Sequence, residues 1–208
     1  MIILHHLNFS RSTRVLWLLE EAGLEYQLVR YERGAGFRAP DTLKAVHPLG
    51  KAPVIQDGDI VLAESAVILS YINERHAQGR FAPAAGTEAR LSHDEWLHYA
   101  ESSAAFPIMV TLIGHMIGGL SQGMAQFAGP ELTKTLDYLA AGVPKGAYLA
   151  GEALTIADIQ TSYLLDVAQG AGMLGDRPAL VAYLDRLKAR PAFVRAVEIG
   201  GPMTPPRR

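Results

Sequence analysis

The chain has 208 residues, enough for one large domain or two small ones, since domains commonly hold ~100–200 residues. Its 19 basic and 21 acidic residues leave a formal charge of −2, so no field exists to gather nucleic acid and no nucleic-acid partner is expected. There is no cysteine, which excludes disulfides, thiolate metal sites and a cysteine nucleophile; any thiol chemistry must use a sulfur brought by a ligand.

The opening MIILHHLNFSRS has no basic region leading into an apolar stretch and no small-residue cleavage site, and reads as the first strand of a cytoplasmic protein. Ile2 to His6 is a short apolar run. Ser12 to Ala22 then places Val15, Leu18, Leu19 and Ala22 at helical spacing, with Gly23 as the C-terminal cap. Leu24 to Tyr31 is extended, and Pro40 to Val46 is a short helix before the turn His47-Pro48-Leu49-Gly50. Val54 to Gln56 and Ile60 to Leu62 flank Asp57-Gly58-Asp59, a hairpin signature. Ser65 to Arg75 returns to helical period. The order βαβ, helix, ββ, helix matches a thioredoxin-like domain, a compact sheet with helices on its faces.

The segment AQGRFAPAAG, from Ala77 to Gly86, has no period and marks a linker. The boundaries expected are a domain over 1–79, a linker over 80–88 and an all-α domain over 89–208. Thr87 to Met116 carries a long amphipathic pattern with a bend expected at Pro107. The stretch Ala104 to Leu120 is broken by Pro107, Thr111, His115 and glycines, and falls short of the ~20 apolar residues a span needs, so no membrane is expected. Leu132, Leu136 and Leu139 form a further helical face, opened by Gly129-Pro130. Prolines introduce two short helices, Pro178 to Ala189 and Pro191 to Val197, and the tail GGPMTPPRR reads as loose.

Leu154-Thr155-Ile156-Ala157-Asp158-Ile159 is a capping box, with Asp in the place that Glu or Gln usually fills, and marks a helix start. Gly50-Lys51 is no phosphate loop, because the upstream glycine and the following hydroxyl residue are missing. Pro53 instead precedes a strand; with a cis Ala52-Pro53 bond, the backbone beside it would offer an edge to a peptide-like ligand. At Ala63-Glu64-Ser65 a strand gives way to a helix. An ordinary N-cap and a site for the carboxylate and ammonium ends of an amino acid both fit those residues. Asn8-Phe9-Ser10-Arg11-Ser12 joins the first strand to the first helix. Half-ionising a thiol of pKa ~8.5 at pH 7 requires about 2 kcal/mol. A hydrogen bond to a charged acceptor supplies about 1.5–3 kcal/mol, so a serine here could activate a bound thiol alone. His93 and His98 are five apart, about 140° around a helix, and no metal site is expected. No G-x-S-x-G elbow supports a serine hydrolase.

Taken in order, SRSTRVLWLLEEAGLEY, HPLGKAPVI, AESAVILSYI and LAGEALTIADI resemble the soluble glutathione transferase family over nearly the whole chain, as a bacterial member. The resemblance implies a thioredoxin-like α/β domain followed by an all-α domain. It implies a cytoplasmic homodimer that uses glutathione as co-substrate, with no other cofactor, and a role in detoxification. Glutathione would place its γ-glutamyl end at Glu64 and Ser65, its cysteinyl backbone at Val54 beside Pro53, and its glycyl carboxylate at Lys51. Ser10 would stabilise the thiolate, with Ser12 as the alternate and Asn8 or Arg11 as further candidates. Phe9 stands where such families place Tyr, Ser or Cys, and His47 where the loop motif has Asn. Tyr99, Ser103, Phe106 and Met109 would line the electrophile pocket. The reaction implied is thiolate attack on a small electrophile. The alternatives are a glutathione-dependent isomerase, a peroxidase or disulfide reductase, and a non-catalytic binding or stress protein.

Overall fold

A computed structural model describes residues 1–143 and 147–205. Contacts divide the chain into two compact units, 1–81 joined by 188–205, and 82–187.

The first unit is built on a four-stranded sheet in the order β2-β1-β3-β4. Strand β1 (Ile2–Leu7) runs parallel to β2 (Tyr26–Tyr31) and antiparallel to β3 (Val54–Asp57), which forms the hairpin with β4 (Ile60–Ala63). The parallel pair requires a crossover, and helix α1 (Ser12–Ala22) supplies it. Gly23 ends α1 at φ 67°, a left-handed conformation that costs glycine little, and Leu24 N donates back to the Leu19 carbonyl at 3.0 Å. Val15, Leu16, Trp17, Leu18 and Leu19 are fully buried, so α1 is the centre of the unit's core. Helix α2 (Ser65–Arg75) packs on α1, and its Ile68, Leu69 and Ile72 are fully buried. Residues 40–46 form a 3₁₀ segment over Asp41–Ala45 rather than an α-helix.

The second unit contains α3 (Glu88–Tyr99), α4 (Ala105–Met116), α5 (Gln122–Gly142), α6 (Ile156–Gly170) and α7 (Pro178–Lys188). Residues Ile156 to Ala168 of α6 are all buried, as expected of a helix surrounded by others. The capping box forms at its start. The buried Asp158 carboxylate accepts from Thr155 N at 2.8 Å, from Leu149 N at 2.8 Å and from the Tyr183 hydroxyl at 2.6 Å. Burial and the Asp158 charge push the Tyr183 phenol well above its ordinary range.

Four sequence expectations are corrected. The long pattern from Thr87 to Met116 breaks over Ala100–Ala104 rather than bending at Pro107; that proline sits in the first turn of α4, where its missing N–H has no helical acceptor to lose. Gly129-Pro130 does not open a helix. Helix α5 begins at Gln122, where the Ser121 hydroxyl accepts from Met124 N at 3.4 Å, and carries Pro130 in its interior on an exposed face. The last helix, α8 (Pro191–Gly200), belongs by its contacts to the first unit and not to a helical domain spanning 89–208. There Phe193 meets Trp17 edge-on at 5.2 Å and Arg190 pairs with Glu21, its Nε donating at 3.0 Å. The tail is not loose throughout: Met203 is buried, while residues 206–208 lie outside those described.

Candidate functional site in the sheet unit

The register carries the C-terminal end of β1, the start of β3 and the end of β4 to one end of the sheet, because His5 pairs with Val54 and Val54 with Ala63. The loop from Asn8 to Arg11, the Pro53 turn and the N-terminus of α2 therefore gather there.

In the first loop Ser10 and Ser12 are both buried. The Ser10 hydroxyl donates to the Leu7 carbonyl at 2.8 Å, accepts from Ser12 N at 3.1 Å and lies 2.7 Å from the Ser12 hydroxyl. Ser12 Oγ accepts from Leu7 N at 3.1 Å and lies 2.9 Å from His6 Nδ1. Phe9 stands at φ 50°, a conformation an L side chain adopts only when its surroundings hold it. Arg33 does so: it donates to the carbonyls of Phe9 at 2.8 Å, Asn8 at 3.0 Å and Phe37 at 2.8 Å. Its guanidinium also lies 4.1 Å from the centroid of the Phe37 ring, which is stacked with Phe9 at 6.2 Å. The Asn8 side chain accepts from Arg33 N at 3.1 Å and donates to Glu32, so it holds this loop together. Arg11 is half-buried at the N-cap of α1.

The Ala52-Pro53 bond is cis. Pro53 is buried, Lys51 is exposed and Val54 begins β3. Strand β3 lies between β1 and β4, so a ligand backbone could meet it only at its start, beside Pro53. At the second hairpin strand's end, Glu64 is exposed and stands at φ 67°, ψ 115°, outside the regions that L residues favour. Its side chain makes no capping bond. Ser65 follows, buried, and accepts from the guanidinium of the fully buried Arg14 at 3.3 Å. The start of α2 thus combines helix amides, a hydroxyl and a buried positive charge, an arrangement suited to a carboxylate.

The chain is similar to known proteins over most of its length. Residues 1–74 match the family model "Glutathione S-transferase, N-terminal domain" and residues 119–195 match "Glutathione S-transferase, C-terminal domain". Glutathione S-transferase 3 of Schizosaccharomyces pombe is 32% identical over 186 residues, covering 81% of this chain and 75% of that protein. Glutathione S-transferase 3 of Zea mays is 30% identical over 204 residues, covering 93% and 90%. The chain belongs to the glutathione S-transferase family. A crystal structure of a glutathione S-transferase from Actinobacillus pleuropneumoniae aligns with a TM-score of 0.88 at 35% identity, covering 96% of this chain and 93% of that one.

The pocket residues that the family resemblance suggested lie in the second unit. Tyr99 belongs to an aromatic cluster, 5.6 Å from the Trp96 ring and 5.0 Å from that of Tyr138, and burial raises its phenol pKa. Ser103 is exposed in the break between α3 and α4, Phe106 is exposed beside Phe127, and Met109 is half-buried on α4. Sequence reasoning missed His6, Arg14 and Arg33. The first two sit on elements whose period was read correctly, where a buried polar residue at a core position was the available signal; Arg33 stands in a loop with no pattern to mark it.

Proposed function

We propose that this family member binds glutathione at the sheet end formed by the first loop, the Pro53 turn and the start of α2, and directs its sulfur as a thiolate at a small electrophile. The carrying observation is the start of α2: Glu64 is held at an unfavourable backbone angle beside a serine polarised by a buried arginine. Glu64 and Ser65 take the γ-glutamyl end, Val54 beside Pro53 takes the cysteinyl backbone, and Lys51 meets the glycyl carboxylate. The sulfur then lies at the first loop, where Ser10 is the residue whose hydroxyl leaves the Leu7 carbonyl and turns a proton toward it, Ser12 lies behind, and Asn8 and Arg11 flank the turn. Tyr99, Ser103, Phe106 and Met109 are the proposed electrophile contacts. We place the enzyme in the cytoplasm as a homodimer with a detoxifying role; exposed Ile113, Met116 and Ile117 support self-association. Binding and positioning supply most of the rate.

Retention on immobilised glutathione, followed by turnover of a chloronitrobenzene and of a hydroperoxide, tests this reading. Retention with conjugation is the expected result. Turnover of the hydroperoxide alone would move the assignment to the glutathione-dependent reductases. Retention with neither would make the chain a binding protein, and no retention would remove the glutathione site.

A further inference from the structure

The first loop holds a chain of hydrogen bonds longer than fixing a loop requires. The Gly200 carbonyl, 2.8 Å from His6 Nε2, can only accept, so Nε2 carries the hydrogen and Nδ1 presents its lone pair. Ser12 Oγ, 2.9 Å from Nδ1, is the donor that fits that lone pair. Ser10 Oγ lies 2.7 Å further out; its single proton rests on the Leu7 carbonyl at 2.8 Å and turns to Ser12 Oγ in the relay, while the Leu7 carbonyl lies 3.1 Å from Ser12 Oγ. The imidazole at the inner end is thus fixed in one tautomer by the end of α8. That contact depends on the residue being glycine: a Cβ at position 200 would stand 2.9 Å from His6 Nε2 and 2.6 Å from Leu16 Cδ2.

We propose that His6 is the proton acceptor for the thiol of bound glutathione, reached through the hydroxyls of Ser10 and Ser12; this rests on the glutathione-binding reading above. In the step, the S–H bond breaks and its proton passes to Ser10 Oγ. The Ser10 hydroxyl proton passes to Ser12 Oγ, and the Ser12 hydroxyl proton passes to His6 Nδ1. The products are a thiolate that accepts from Ser10 and an imidazolium that donates from Nδ1 to Ser12 and from Nε2 to the Gly200 carbonyl. No electrons change hands. Once the thiolate is consumed, the chain runs backward and releases the proton to the departing group or to water. His6 acts through the serines and positions them.

The charges around His6 suit a base that rests neutral. Burial lowers its pKa, the Gly200 carbonyl raises it, and the exposed Arg30 and Glu32 on the β2 side pull in opposite directions. From α1 it meets Ser12, and from α8 the Gly200 carbonyl. The thiolate formed at the outer end would be the missing counter-charge for the imidazolium.

The test is nitrogen NMR of the full chain labelled at histidine, with the His6 signals assigned by H6Q. On addition of glutathione at neutral pH, His6 is expected to change from one protonated nitrogen to two; on addition of S-methylglutathione, whose sulfur has no proton, it should stay neutral. A bound thiolate with His6 still neutral overturns the relay and leaves the glutathione reading intact, whereas absence of binding overturns both. In a second arm, S12A should reduce the thiolate fraction of bound glutathione about tenfold, the ratio for one pH unit, and weaken glutathione binding at neutral pH by up to that factor, while binding of S-methylglutathione stays within about twofold. A wild-type ionisation profile in S12A contradicts the proposal, and should that variant not fold, the wild-type NMR result decides.

Discussion

Glu64 shows how a single residue separates stability from function. Its φ of 67° is strained for any side chain but glycine. Glu64→Gly is therefore expected to stabilise the chain by about 1 kcal/mol in urea unfolding while weakening glutathione binding. Lower stability in that variant would show that the backbone there is not strained. Ser65→Ala removes a hydroxyl from the proposed γ-glutamyl site and should weaken glutathione binding by ~10-fold or more, with little change in kcat, read by calorimetry and steady-state kinetics. His6 and His93 are both buried with lowered pKa, chiefly through burial; the Asp94 carboxylate, 2.8 Å from His93 Nδ1, offsets only part of it. The unfolded chain takes up these protons near pH 6.5 and the folded chain only at lower pH. Their contribution is thus complete above that value and is lost as the pH falls through it toward the folded pKa. Urea unfolding between pH 7 and 5 should show a declining stability, with a shallower decline in His93→Gln. At this scale the sequence exposed the polar residues of the first loop but not their partners. A hydroxyl near a helix start reads the same whether it faces a ligand or turns inward to the Leu7 carbonyl, as the Ser10 hydroxyl does.

Elements with strong local chemistry were readable from the sequence alone. Helices α1 and α2 start and stop where their apolar spacing and Gly23 place them, and the Asp57-Gly58-Asp59 hairpin forms. Proline misled because its local meaning depends on what surrounds it. Pro130 reads as a helix opener, yet the buried face of Ala128, Thr135, Leu136 and Leu139 extends α5 through it, and its exposed position lets water reach the carbonyl that loses its helical donor. Pro130→Ala should restore that bond and stabilise the chain by about 1–3 kcal/mol in urea unfolding; a neutral or destabilising result would mean that the proline ring's rigidity offsets the lost bond. The capping box of α6 was legible, but its larger part was not, because Tyr183 and Leu149 reach Asp158 from distant segments. Loss of a buried acceptor serving several donors leaves each unpaired, so Asp158→Ala should cost at least about 3 kcal/mol.

For the chain as a whole, the sequence showed a change of pattern near residue 80 but not that its last helix returns to the first unit. Periodicity reveals which face of a helix is apolar and not which partner covers it, and α8 has the same short amphipathic character as α7. The return matters to function, because α8 covers Trp17 with Phe193 and brings the Gly200 carbonyl to His6. Phe193→Ala should therefore destabilise the sheet unit by about 3–5 kcal/mol. The reading of the molecule as a glutathione-activating enzyme can be checked by following the ultraviolet absorbance of the bound tripeptide's thiolate against pH. The bound thiol is expected to ionise well below the ~8.5 of a free thiol and to leave a mostly anionic sulfur at neutral pH; ionisation at the free value, or no binding at any pH, would contradict it.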